Sequence, residues 1–174
     1  MKANKDKTQY TASTKELFLN AGTYYVSMEC TTAKKGGSAD FTVAYGDRYQ
    51  AFENCDNSND TWKAASEQEA VALGDALVGW VGFGDTADFY KFQVAEAGKL
   101  SIVLDDATGA ALAGKQLKFS CLDAKGKNVA LAAFKGGTLD SSKALAAGTY
   151  YLGVTCANTQ KYDTNYNVSI GMLA

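Results

Sequence analysis

The sequence predicts an all-β protein, an antiparallel β-sandwich, from three observations. From Leu77 onward apolar and polar side chains alternate with a period of two, which places successive side chains on opposite faces of a strand. Turn-forming residues interrupt the alternation roughly every eight to twelve positions, the spacing of short strands joined by tight connections. Ten Tyr and eight Phe supply side chains that suit a pleated, half-buried surface.

The strands follow in order. Val78–Phe83 leads to a turn at Gly84-Asp85, and Asp88–Val94 then sets Tyr90, Phe92 and Val94 on one face. Leu100, Ile102 and Leu104 repeat that row, and Leu117, Phe119 and Cys121 do so before a turn at Asp123–Gly126. Tyr150, Leu152, Val154 and Cys156 come next, and Tyr166, Val168, Ile170 and Met172 last. The glycines of Gly79–Asp85 (GWVGFGD) read as close-packing points or a bulge, with Trp80 plugging one end of the core. Their G-x-x-G-x-G spacing precedes a strand and lacks the helix N-terminus that cradles phosphate.

One segment occurs twice. LNAGTYYVSMEC at Leu19–Cys30 returns as LAAGTYYLGVTC at Leu145–Cys156, with seven of twelve residues identical. Phe41–Gly46 likewise corresponds to Tyr166–Gly171. The repeat is about 125 residues long, nearer a whole domain than a solenoid unit. Residues 1–46 therefore read as the last strands of a preceding copy: three extra strands that duplicate the sandwich's last third. Residues 47–76, rich in Asp, Asn, Ser and Glu, read as a linker, and 77–174 as the core of the complete copy. Within the linker, Ser66 and Glu69 form a capping-box pattern and Gly74 a stop, which predicts one short helix.

Composition excludes several functions. Formal net charge is -2 and no basic block is present, so the electrostatic footprint of a nucleic-acid binder is missing. No apolar run reaches the roughly 18 residues of a membrane span. The absence of His rules out Ser-His-Asp and Cys-His nucleophilic arrangements, and no G-x-S-x-G occurs; the expectation is that the chain is not an enzyme. Four cysteines, Cys30, Cys55, Cys121 and Cys156, contain no C-x-x-C pair, which favours disulfides in an oxidising compartment over a zinc site and leaves inert buried thiols as the alternative. Cys121 and Cys156 both fall on inward rows, where facing strands would bring them together. That bond would stabilise by about 3–4 kcal/mol through the lost entropy of the unfolded chain. Cys30 and Cys55 then pair by elimination.

The motifs from Asn59 to Met172 resemble the bacterial pre-peptidase C-terminal domain family. They are NDTWKAA at Asn59–Ala65, GDTADFYKFQV at Gly84–Val94, GKLSIVL at Gly98–Leu104, the turn LDAKGK, and LAAGTYYLGVTC followed by YNVSIG. The resemblance implies a jelly-roll-like sandwich of about eight or nine strands that presents or binds other molecules. It is similar also to the collagen-binding modules of clostridial collagenases, which hold calcium between the linker and a D-x-x-D turn. That similarity carries a Ca²⁺ site onto Asp60, Asp85 and Asp88, with Asn59 beside them and Asn57 where those modules have a Glu; Glu53 or Asp56 could compensate for that lost charge. Asp and Asn are also ordinary turn and cap residues.

These readings lead to one functional expectation. The chain is a calcium-stabilised spacer or adhesion module, extracellular or on a bacterial cell surface, whose protein or polysaccharide ligand the sequence does not name. Trp62 and Tyr162 are candidate surface aromatics for such a ligand. Two alternatives stand beside it: a filament subunit that self-associates by exchanging the duplicated strands, and an accessory domain of a secreted protease.

Overall fold

Alternation becomes hydrogen-bonded ladders from Ala76 onward. The computed structural model describes residues 2–3, 10–11, 22–27, 40, 42 and 58–173, and the chain divides into two compact units, Met1–Ala51 and Phe52–Ala174.

In the first unit β1 (Lys2–Ala3) pairs antiparallel with β2 (Tyr10–Thr11), Lys2 opposite Thr11. Gly22–Ser27, the described part of the first Ala-Gly-Thr-Tyr-Tyr copy, carries no strand ladder. Most of the other residues expected in the three extra strands lie outside the described residues.

The second unit opens with α1 (Trp62–Ser66), whose N-cap is Thr61: its side chain accepts from the Ala64 N–H at 3.1 Å. The helix was expected to start at Ser66 and instead ends there. Thr61 is already extended and positioned to cap, while the Ser66 hydroxyl bonds back to the Lys63 carbonyl at 2.6 Å. Eight strands follow: β3 (Ala76–Val81), β4 (Ala87–Val94), β5 (Lys99–Leu104), β6 (Leu117–Asp123), β7 (Asn128–Val129), β8 (Thr138–Asp140), β9 (Gly148–Cys156) and β10 (Thr164–Leu173). A second helix, α2 (Asp106–Ala113), sits between β5 and β6, capped by the Asp105 carboxylate, which accepts from the Thr108 N–H at 2.7 Å.

All pairings between these strands are antiparallel, in two sheets ordered β3-β10-β5-β8 and β4-β9-β6-β7. Counted from the first of the eight strands, the orders are 1-8-3-6 and 2-7-4-5, the jelly-roll arrangement of two interleaved Greek keys. The last two strands, β9 and β10, are each central in a sheet. Inward rows meet as the alternation predicts: Phe92, Leu100, Ile102 and Leu152 are 0% exposed, each contributing about 1.5–3 kcal/mol by burial.

Sheet edges are managed explicitly. The free edge of β4 is covered by residues 59–71: Phe89 N–H donates to the Asn59 carbonyl at 2.9 Å and Val71 N–H to the Lys91 carbonyl at 2.8 Å. The Lys91 ammonium donates to the Ser66 carbonyl at 2.9 Å, securing α1. On the far side β7 and β8 are edges of opposite sheets, and the chain between them stitches the two together, with Leu131 bridged to Ser141 and Ser142 N–H bonded to the Ala130 carbonyl at 2.8 Å. Such covering blocks unwanted strand addition.

Candidate functional site

The residues nominated for calcium divide between the lead-in segment and the β3–β4 turn. Gly82 N–H bonds to the Asp85 carbonyl at 2.6 Å, closing a tight turn that holds Asp85 inward at 0% exposure. Asn59 is 3% exposed, and its carbonyl is tied to β4 at Phe89, one residue past Asp88. Asp60 is half-buried, and its Oδ1, like that of Asp85, is fully buried. Asn57 lies outside the described residues.

Asp88 occupies a different position from a surface-turn ligand. It is 1% exposed and lies on the inward row of β4 with Tyr90, Phe92 and Val94. Its Oδ2 accepts a hydrogen bond from the Tyr166 hydroxyl, which comes from β10 in the opposite sheet. Tyr90 Oη lies 2.5 Å from Tyr166 Oη. Because the single phenolic proton of Tyr166 is given to Asp88, Tyr90 is the donor in that second bond. The two rings meet edge to face with centroids 6.5 Å apart. Burial, followed by the neighbouring Tyr90 and Asp88, pushes the Tyr166 phenol well above its ordinary value, so it stays protonated.

Gly79 makes this geometry possible. A Cβ there would lie 2.1 Å from Tyr166 Oη, so only glycine leaves room for the ring to reach across toward Asp88. Gly82 does the same for Trp80, whose ring would be 2.3 Å from an added Cβ. The strand glycines are close-approach points, as the sequence suggested.

Ca²⁺ takes about six to eight oxygens. Among the described residues no three His, Cys, Asp or Glu side chains group closely enough to hold a metal by themselves. A calcium site here would add the Asn59 amide and main-chain carbonyls to the Asp60 and Asp85 carboxylates.

The expected bond between Cys121 and Cys156 is absent: both are free, buried thiols. Their strands are neighbours in one sheet and do not face each other across the sandwich, and the register sets Cys121 opposite Leu152 and Cys156 opposite Leu117. Four rungs at about 3.4 Å each separate them, roughly twice the ~7 Å limit for a disulfide. Burial, then the Asp123 charge, pushes the Cys121 thiol up to about 12. Burial also raises the Cys156 thiol, whose Sγ donates to the Tyr162 carbonyl at 3.4 Å. Cys30 and Cys55 lie outside the described residues.

The nominated surface aromatics are engaged internally. Trp62 is half-buried on the outer face of the second sheet, 5.7 Å from Tyr151 between ring centroids, and it seals Tyr151 to 4% exposure. It also packs over Gly126, where an added Cβ would lie 2.7 Å from the indole. Tyr162 is half-buried and packs against the core.

A surface depression of about 260 Å³ lies beside β7, lined by Ala130, Ala144, Leu145 and Tyr150 among others. Its carboxylate, Asp123, accepts from the N–H groups of Lys125 and Lys127, both at 2.9 Å. Those bonds hold it below the usual carboxylate range, and therefore ionised. No helix among the described residues is long and apolar enough to cross a membrane.

No family model matches the chain, and no curated protein matches it either. Among solved structures, the chain is similar to the pre-peptidase C-terminal domain of a collagenase from Bacillus anthracis. Identity is 21%, the alignment covers 58% of this chain and 91% of that one, and the TM-score is 0.43. That domain bears the name of the family which the motifs of Asn59–Met172 resemble.

Proposed function

We propose that this chain is a non-catalytic β-sandwich module of a secreted or surface protein of bacterial type, stabilised by calcium and serving as a spacer or adhesion unit. The observation that carries the calcium reading is the burial of Asn59, Asp85 and Asp88, at 3%, 0% and 1% exposure, where the lead-in segment is tied to the start of β4. A cation held by Asn59, Asp60 and Asp85, with main-chain carbonyls completing its oxygen shell, would cross-link the lead-in segment to the sandwich. Asp88 contributes from behind, as the acceptor of Tyr166.

The non-catalytic reading rests on the absence of His from the whole sequence and on the state of the polar groups described. Asp123 is locked ionised by its own turn, Cys121 and Cys156 are held as neutral thiols, and Tyr166 keeps its proton. None of these is poised to exchange a proton near neutral pH, as a general acid or base must be.

Thermal melting with and without chelator tests the calcium part. Excess EDTA should lower the transition and added Ca²⁺ restore it, whereas an unchanged transition in EDTA removes calcium from the account.

A further inference from the structure

Three of the four sheet edges are short or covered, and the fourth is neither. Residues 59–71 lie along β4, and β7 and β8 are two and three residues long. The remaining edge, β3, runs six residues from Ala76 to Val81. From Ala76 to Gly84 the chain has no charged residue and no Pro, the devices by which edge strands discourage added strands. Among the described residues, no main-chain bond outside the ladder to β10 reaches Ala76–Gly79.

The ladder fixes which groups of β3 face outward. Asn167 N–H donates to the Thr108 hydroxyl at 2.8 Å, and its carbonyl accepts from Asp105 N–H at 3.2 Å, so both point to the β5 side of β10. Successive residues of an antiparallel strand bond to opposite sides. Tyr166 and Val168 therefore bond toward β3, where they stand opposite Gly79 and Leu77. The alternate positions of β3, Ala76 and Val78, turn their N–H and C=O groups to the open edge. Val78 presents its side chain there as well, at 55% exposure.

We propose that β3 is a self-association edge, at which two molecules of this chain pair their β3 strands antiparallel about a two-fold axis through Val78. Self-complementarity identifies the occupant. With Val78 opposite Val78, the two main chains exchange both hydrogen bonds and the two exposed side chains cover each other. Leu77 then lies opposite Gly79, where the Tyr166 ring leaves no room for a side chain. Ala76 lies opposite Trp80, whose ring folds back over Gly82. Each large side chain thus meets a small one, and an uncharged strand faces its own copy without like-charge repulsion. The sheet β3-β10-β5-β8 continues through β3 into its two-fold mate, and such an isologous contact closes at two molecules.

Two measurements on the full chain test it, and neither reads metal binding, so the calcium proposal can fail without affecting them. In the first, light scattering across a hundredfold concentration range should show the mass rise from one chain to two. Val78→Lys, which sets like charges opposite each other at the axis, should weaken the dimer about tenfold or more. Its circular dichroism spectrum should match that of the native protein, because the site is 55% exposed. A monomer throughout, an assembly larger than two, or a dimer that tolerates this substitution would overturn the proposal. In the second, mild oxidation should cross-link Val78→Cys into dimers through position 78 itself, because opposed Cβ atoms lie about 4.5–5.5 Å apart. Ala76→Cys should stay at the native background, because its mate would lie four rungs away, roughly twice the ~7 Å limit for a disulfide. Equal cross-linking of the two variants, or none in either, would overturn the pairing.

Discussion

Replacing Tyr166 with Phe isolates the polar link between the two sheets. The ring keeps its volume, so the close approach at Gly79 and the edge-to-face contact with Tyr90 persist, and only the hydroxyl is lost. With it go the bond donated to Asp88 and the acceptor used by Tyr90. A hydrogen bond to a charged group contributes about 1.5–3 kcal/mol and a neutral one about 1 kcal/mol, so the expected loss is about 2–4 kcal/mol. At about 4 °C per kcal/mol for a domain of this size, Tm should fall by about 8–15 °C. Urea denaturation should show a lower midpoint with an unchanged slope, because the surface exposed on unfolding is the same. A Tm within about 2 °C of the native protein would refute the reasoning and mean that water replaces the phenol in a site less dry than its 1–2% exposure indicates.

Further outcomes follow from the same geometry. Trp62→Ala should uncover Tyr151 and loosen α1 from the edge of β4, costing about 2 kcal/mol given that the indole is only half-buried; a melting temperature unchanged from native would show that α1 is held by its backbone bonds alone. Because the folded Cys121 thiol is raised from 9.0 to about 12, its contribution is complete below about pH 9 and is lost as pH climbs toward 12, where the unfolded chain ionises first. Native protein should therefore lose Tm over that range more steeply than Cys121→Ala, and parallel curves would contradict the assignment. Non-reducing peptide maps should yield Cys121 and Cys156 in separate, alkylatable peptides, and a cross-linked pair would contradict the ladder register.

Much of the sandwich was legible in the sequence because alternation is a local property. The rows through Tyr90, Leu100, Tyr150 and Tyr166 face inward as the period of two requires, and glycine at positions 79 and 82 marked close packing before any neighbour was known. The Asp105 cap of α2 was also present in the sequence, but Gly109 and a run of alanines gave the helix no apolar stripe by which to recognise it. The helix at Trp62 was misplaced because two hydroxyl residues, Thr61 and Ser66, both resemble N-caps, and only the fold shows which one stands at the start. Cys121 and Cys156 share the inward face with correct periodicity and still cannot bond, since periodicity specifies the face and leaves the rung open.

Asp88 shows the same limit at the candidate site. Its sequence neighbourhood, D-x-x-D at a turn, is that of a surface ligand, yet the strand begins at Ala87 and turns the carboxylate inward onto a tyrosine 78 residues away. The sequence by itself determined six of the eight sandwich strands and the faces they bury, and that one segment is written twice, while the short strands Asn128–Val129 and Thr138–Asp140 carry too few residues to show alternation. Only the tertiary structure decided which strands are neighbours, how far apart equivalent side chains lie along them, and which polar groups meet across the core. The first set follows from backbone periodicity within each segment, and the second from the register and stacking of segments distant in the chain.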